Sequence, residues 1–333
     1  MAQYFAVKGK VISMCFYNKS RCLTVLVVLF FCCLTGEVRA HEEDVVNTDL
    51  FCPSDLRILN QPSKSFQVTT IELLDKTVIL LPPGDLYPFN IADPHRVSLS
   101  FQTLEYTKSS IPGAGNTRFY LKAGGNIGIF RVVKRGEPDH GWQFNIIGGF
   151  DALFDIDDSL DNIGWDGNYG TSISIDLDTR FIYKVGILHT SSHLGDEYIE
   201  KTGAARVGYT RHELLFGSSW LLSKNLRIYG ETGWGFDLSN KALMDPWRLK
   251  GGAEYIGDEK IWNNKMSLYA AFDISSWQEN DWQLDISAQT GLELNSGGRR
   301  ARLGIEYSEG RVPLGEFFLH KEKYISLGLW VDI

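Results

Sequence analysis

The chain predicts an all-β protein: a transmembrane antiparallel β-barrel of about 12 strands, preceded by a short periplasmic segment. Three observations predict it. From about Arg96 to the last residue, stretches are apolar at every second position, as Trp282, Leu284, Ile286, Ala288, Thr290, Leu292 and Leu294 show. A period of two means extended strands with one apolar and one polar face. The polar faces carry charges of both signs, and the connections between stretches alternate short and long. Short turns at one end and long loops at the other are the pattern of a closed barrel in a bacterial outer membrane.

Taken in order, residues 1–40 read as a secretory signal peptide. Lys8, Lys10, Lys19 and Arg21 precede the apolar run Cys22 to Leu34, and Val38-Arg39-Ala40 supplies small residues at a cleavage site. That run is too short for a spanning helix of roughly twenty residues. No later stretch is long and apolar enough to span as a helix either, which leaves a closed barrel. Four of the five cysteines go with the signal, so Cys52 stands alone and no internal disulfide can staple the fold. The formal charge is −8; residues 1–40 carry five basic and one acidic side chain, which leaves the remainder near −12. An acidic body of this kind excludes nucleic acid as a partner. The expected partners are outer-membrane lipid or lipopolysaccharide and the barrel-assembly machinery of a Gram-negative envelope.

Residues 41–95 are proline-rich (Pro53, Pro62, Pro82, Pro83, Pro88, Pro94), with one strand-like piece around Val68–Leu81. They predict a periplasmic segment that packs against the inner mouth of the barrel or enters it. The barrel itself, residues 96–333, divides into strands at 96–106, 117–134, 141–154, 169–177, 179–189, 205–222, 225–236, 246–256, 265–277, 281–295, 299–308 and 323–333. Long loops at 107–116, 155–168, 190–204, 237–245 and 309–322 then face outside, and both termini are periplasmic. Strand by strand, Leu226, Ile228, Trp234 and Phe236 share one parity, Trp247, Leu249, Ala253 and Tyr255 another, and Met266, Leu268, Phe272 and Ile274 a third, each a face for lipid. The opposite parities collect Arg227, Glu231, Arg248, Lys250, Glu254, Asp273, Asp285, Glu293, Arg302 and Glu306. Mixed charges in a lumen either pair into a polar filling or line a water path.

Two clusters could carry chemistry. His189-Thr190-Ser191-Ser192-His193-Leu194-Gly195-Asp196-Glu197 holds serines, imidazoles and carboxylates within nine residues. Serine, a histidine base and an orienting carboxylate are the minimum for acyl transfer. Ser191 or Ser192 is the candidate nucleophile, His193 the base, and Asp196 or Glu197 the orienting group. A hydrogen-bonded rim or a recognition loop is the other reading, and parity argues against catalysis. If Phe181, Tyr183, Val185 and Ile187 face lipid, His189 and Ser191 do too. The second cluster, Asp155, Asp157, Ser159, Asp161 and Asp166, is spaced like a calcium loop. Leu160 stands where such a loop needs glycine, so an acidic external loop is the competing account. No cofactor is expected.

The run His189–Tyr198, together with Leu81-Pro82 and Ile91-Ala92-Asp93-Pro94 ahead of the first strand, resembles the bacterial family called domain of unknown function 1207. The resemblance covers most of the chain from about Leu80 onward. It implies an outer-membrane barrel, with no substrate and no catalytic residue to carry over. The sequence thus points to a pore or structural barrel, with an outer-leaflet lipid-modifying hydrolase, acting on acyl esters of lipid A type, as the alternative.

Overall fold

The computed structural model describes residues 4–7, 10–13 and 69–332, apart from 74, 136, 179, 259–260, 262–265 and 297–298. Two compact units divide at Asp49. In the first, Tyr4–Val7 (β1) and Lys10–Ser13 (β2) pair antiparallel. The apolar run at 22–34 and the cleavage site at 38–40 lie outside the described residues.

The second unit is the barrel. Its strands are β5 (Leu99–Ser109), β6 (Thr117–Lys134), β7 (Glu137–Asp155), β8 (Asp161–Asp178), β9 (Phe181–Leu194), β10 (Thr210–Leu221), β11 (Leu226–Leu238), β12 (Trp247–Ile256), β13 (Met266–Trp277), β14 (Leu284–Ser296), β15 (Arg299–Arg311) and β16 (Lys321–Asp332). Each pairs antiparallel with its neighbours in sequence, and β16 pairs with β5 from Glu322↔Ser109 to Val331↔Leu99. That seam closes a barrel of twelve strands, and closure leaves no row of unpaired backbone groups facing an apolar medium. Even the shortest strand has ten residues, enough to cross a hydrocarbon core at a tilt. No helix among the described residues is long and apolar enough to cross.

The two faces separate as the alternation predicts. Trp234, Phe236, Trp247, Leu249, Leu268 and Phe272 are exposed on the outer wall, while all ten charged residues expected in the lumen are buried. Three strands differ most from expectation, and the first is β9, which runs on to Leu194 where an end at 189 is expected, so residues 190–194 are strand and not loop. Strand β8 begins at Asp161, not 169, because Gly164 and Gly167 interrupt the apolar pattern of a stretch that still pairs with β9. The segment expected to begin a strand at 205 starts one only at Thr210, and the preceding loop contains a short helix, α1 (Asp196–Thr202).

A hairpin precedes the barrel: β3 (Thr69–Leu73) and β4 (Lys76–Leu80) pair with each other, and β4 pairs with the far end of β6, Lys76↔Lys134 to Leu80↔Phe130. Strand β5 occupies the same edge of β6 further along, Ser100↔Lys122 to Glu105↔Thr117. Residues 81–98 therefore leave the sheet after β4 and return to it as β5.

Candidate functional site

Between these two strands the chain runs through the barrel interior. Pro82, Pro83, Pro88 and Pro94 cannot donate ladder hydrogen bonds, so the segment cannot simply extend the sheet. Its side chains and backbone find partners on the wall instead. The Asp85 carboxylate accepts from Ser174 Oγ at 2.7 Å, Asn145 Nδ2 at 3.3 Å and Asn126 Nδ2. Asn90 donates to Glu231 at 2.9 Å and accepts from Arg227 at 3.0 Å, and Ile91 N–H donates to Glu254 at 2.6 Å. Lys122 Nζ donates to Pro94 O at 2.6 Å, and Lys250 pairs with Asp93. Strands β6, β7, β8, β11 and β12 are all tied to this plug. The wall is shaped for it as well. A Cβ at Gly217 would lie 2.9 Å from Tyr87 Oη, and one at Gly149 would lie 2.5 Å from Val97 Cγ1.

His95 and Asp85 are among the plug groups whose titration burial shifts. Burial holds the His95 imidazole well below its ordinary pKa, against the pull of Asp93 and aided by Lys250, Arg311 and Lys122. Both ring nitrogens are shielded and lack a hydrogen bond. Burial raises the Asp85 carboxyl despite its bonds to Ser174 and Tyr87 N–H. The unfolded chain protonates histidine near 6.5 while folded His95 stays neutral. Its effect on stability is absent above about pH 6.5 and becomes a loss as pH falls below that value. Asp85 works in the opposite sense, since acid relieves its buried charge. We expect the melting temperature in detergent to fall less between pH 7.5 and 5.5 in His95→Gln than in the native chain. An equal fall in both would remove His95 from the account.

The long-loop end of the barrel is narrowed by its own connections. Val312, Leu314, Phe317 and Phe318 turn inward and are buried with Ile111, Tyr198, Tyr209 and Met244 among them. Glu316 fixes this cap by accepting from Val207, Gly208 and Tyr209 N–H at 2.7, 2.8 and 3.1 Å. Ser192 Oγ accepts from Glu316 N–H at 2.7 Å and donates to Asp166, which also accepts from Gly315 N–H at 3.1 Å. Gly315 is required by close approach, because a Cβ there would lie 2.3 Å from the Tyr209 ring. Between cap and plug remains a cavity of about 130 Å³, lined by Asp93, Glu213, Arg248, Trp277 and Arg311 among others. It has room for a handful of waters. Ser192→Ala leaves the buried Glu316 N–H unsatisfied and takes one of its donors from Asp166, and should cost roughly 1–3 kcal/mol, read as lost thermal stability. Unchanged melting would mean that the cap is held without Ser192.

The candidate catalytic cluster is not brought together. Strand β9 keeps an unbroken register through residues 189–194, so its parity holds. His189, Ser191 and His193 face out, while Ser192 faces in. Ser192 and His193 thus lie on opposite faces of the wall, whereas Ser191 and His193 share the outer one. Asp196 and Glu197 belong to α1, where Asp196 is exposed and stands 3.7 Å from Arg206. The calcium-like spacing dissolves similarly. Asp155 accepts from Gly115 and Asp157 N–H, and Asp157 accepts from Asn116 and Thr117 N–H, at 2.8–3.1 Å. Ser159 sits in the β7–β8 turn with positive φ, Asp161 opens β8, and Asp166 points into the lumen. No group of three potential metal ligands occurs among the described residues.

A different row emerges on the outer wall. The registers align Tyr169, His189, His212 and Asp237 across β8, β9, β10 and β11. Tyr169 stacks on His189 with ring centroids 4.2 Å apart, and Trp165 stacks on His193 at the same distance. His189 Nδ1 lies 2.8 Å from His212 Nε2, and His212 Nδ1 lies 3.4 Å from Asp237 Oδ2. Strict alternation would send Asp237 into the lumen. A bulge in the β10–β11 pairing, between His212 and Glu213, turns it outward beside Phe236. Sequence reasoning missed His212 and Asp237. Their partnership with His189 depends on registers set across a fifteen-residue connection and on a bulge, and neither leaves a motif.

Residues 37–332 match the family model described as "Protein of unknown function (DUF1207)". The chain belongs to this family. The match confirms the resemblance carried by the His189–Tyr198 run. No curated protein matches the chain. Among solved structures, DUF1207 as represented here is similar to the KdgM porin at 8% identity, covering 71% of this chain and 99% of that one, TM-score 0.39. It is similar to outer membrane phospholipase A from Escherichia coli at 12% identity, covering 76% and 92%, TM-score 0.43. A mutant of the Rh. blastica porin is similar at 6% identity over 70% and 97%, TM-score 0.29.

Proposed function

We propose that this DUF1207 protein is a closed, non-conducting barrel of the outer membrane, a structural barrel and not an open pore. The observation that carries this reading is the plug: residues 82–98 are bonded to five strands of the wall, with the cap above them. Most of the mixed lumenal charges pair, as in Arg227–Glu254 at 2.8 Å and Arg248–Glu213 at 2.7 Å, while Asp273, Asp285 and Glu306 accept from tyrosine, glutamine or backbone donors. Charges satisfied in this way hold a filling together. The long loops face the exterior and both termini the periplasm. Lipopolysaccharide surrounds the outer rim, the assembly machinery folds the barrel, and a cleaved signal peptide delivers it. The test is conductance of the purified protein in planar bilayers. We expect no steady current at moderate voltage, and sustained channels would overturn the reading in favour of a pore.

A further inference from the structure

We propose that the outer wall carries a hydrolytic site for lipid acyl esters, with Ser191 as nucleophile, His189 as base, and His212 and Asp237 as its supporting pair. This goes beyond the closed barrel and does not depend on the lumen being shut. His189 and Ser191 stand two residues apart on one face of β9, about 6.6 Å between α-carbons at roughly 3.3 Å per residue. That is within reach of a side-chain bond between them.

The proton positions follow from the contacts. His212 Nδ1 lies 3.4 Å from Asp237 Oδ2 without hydrogen-bond alignment; the carboxylate's charge favours a proton on that nitrogen, which leaves His212 Nε2 as an acceptor. His189 Nδ1, 2.8 Å away, then donates to it. With His189 Nδ1 committed to His212, its Nε2 is the ring nitrogen left to serve Ser191. A serine, a base and a carboxylate acting through an intervening ring reproduce the logic of an activated nucleophile. The bulge that turns Asp237 outward gives the row its charge, and without it the two histidines would have none.

Space for a substrate is present over the serine. Gly167 lies opposite Ser191 in the register, and a Cβ there would stand 3.4 Å from Ser191 Oγ and 3.8 Å from the Trp165 ring. The absent side chain leaves a notch between two stacked pairs, Trp165–His193 and Tyr169–His189. The notch lies on the apolar wall, and the row ends at the exposed Asp237 near the long-loop rim. Aromatic rings of this kind gather at the boundary of apolar and polar layers. Acyl esters of membrane lipids lie at that boundary, with chains toward the wall and headgroup toward the rim. The ligand chemistry is therefore a fatty acyl ester, carried by a phospholipid or by lipopolysaccharide.

The reaction balances on this chain with water. Ser191 Oγ bonds to the ester carbonyl carbon while its proton passes to His189 Nε2. Collapse of the tetrahedral adduct breaks the bond to the alcohol oxygen, which leaves with that proton. Water then gives a proton to His189, adds to the acyl-serine, and releases the fatty acid and the free serine. His212 and Asp237 hold the imidazole in its tautomer and offset the charge it gains, so they are positioning residues.

The test uses the full barrel refolded in detergent, with phosphatidylethanolamine in mixed micelles and purified lipopolysaccharide as separate substrates. Released fatty acid is measured by mass spectrometry, and Ser191 labelling by a fluorophosphonate. We expect release from one lipid, which identifies the source, and labelling at Ser191. Ser191→Ala and His189→Gln should lower release more than 100-fold, and Gly167→Val should close the notch with a similar loss. Asp237→Asn should lower the rate about tenfold and shift its pH profile, while Asp196→Asn leaves it unchanged. These side chains lie on the outer surface, and heat-modifiable gel migration verifies that each variant is folded. Native protein that releases no fatty acid from either lipid and leaves Ser191 unlabelled would overturn the proposal. Release that persists in Ser191→Ala would do so too.

Discussion

Replacing residues 84–95 with a glycine–serine run of equal length should turn a silent barrel into a conducting one. The replacement keeps the link between β4 and β5 but removes the groups that hold it in the lumen. Asp85, Asn90 and Asp93 disappear, and with them the bonds to Ser174, Glu231 and Lys250. A flexible polar run has no such anchors and samples the lumen as solvated coil. The wall keeps Lys250 without its plug carboxylate, so the opened path should favour anions modestly. Single-channel recording in planar bilayers reads both effects, current from its amplitude and preference from the reversal potential in a salt gradient. A replacement that stays silent while folding normally would mean that the cap at the long-loop end is by itself enough to seal the barrel.

The second large effect is expected at Arg227. Its side chain is 1% exposed and donates to Ser219 Oγ at 2.7 Å, Glu254 at 2.8 Å, Asn90 Oδ1 at 3.0 Å and Phe89 O at 3.1 Å. It also lies over the rings of Tyr229 and Tyr87, at 4.9 and 5.2 Å. Arg227→Ala leaves Glu254 buried without its countercharge, at a cost of roughly 3–5 kcal/mol. Arg227→Lys should recover little, because an ammonium cannot reproduce a planar fork with four separate acceptors. Arg227→Ala combined with Glu254→Gln should cost less than the two single losses added together, which a double-mutant cycle in urea resolves. Strict additivity would mean that the two charges do not depend on one another.

The barrel was legible because each of its strands repeats one local rule. A residue's neighbours at two positions on either side decide which face it takes, so Arg227, Glu231, Lys250 and Glu254 could be assigned to the lumen without any knowledge of pairing. The same rule placed His189 and Ser191 outside. The interior path of residues 82–98 was not legible to that degree. Prolines show that the segment leaves the sheet, but its destination is set by Asn90 meeting Glu231, 141 positions away. The candidate cluster was legible in part for a related reason. The period of two keeps Ser191 with His189 and His193 on the outer face and sends Ser192 inward, but closeness in sequence does not tell which of these groups meet. His212 and Asp237 join His189 through register, a property of two strands that no single stretch encodes. The acidic spacing after β7 misled because Asp155 and Asp157 serve backbone N–H groups of the neighbouring loop.

Strand β4, held on the edge of β6 that β5 later takes up, means that the plug is fastened at both ends to the same sheet. A segment so tethered cannot diffuse away when its bonds break. Its groups remain at an effective concentration on the order of millimolar, and rebinding competes at once with escape. Any opening by thermal motion would therefore be a brief flicker with a short memory, ending where it began. Lasting release requires that the β4–β6 pairing itself be undone. Force applied from the N-terminal side would meet the five pairs of β3 on β4 and then the five of β4 on β6, each ladder in its turn. The strand beside the plug is thus the latch, and its strength in tension, more than the plug's own bonds, sets how firmly the barrel is kept shut.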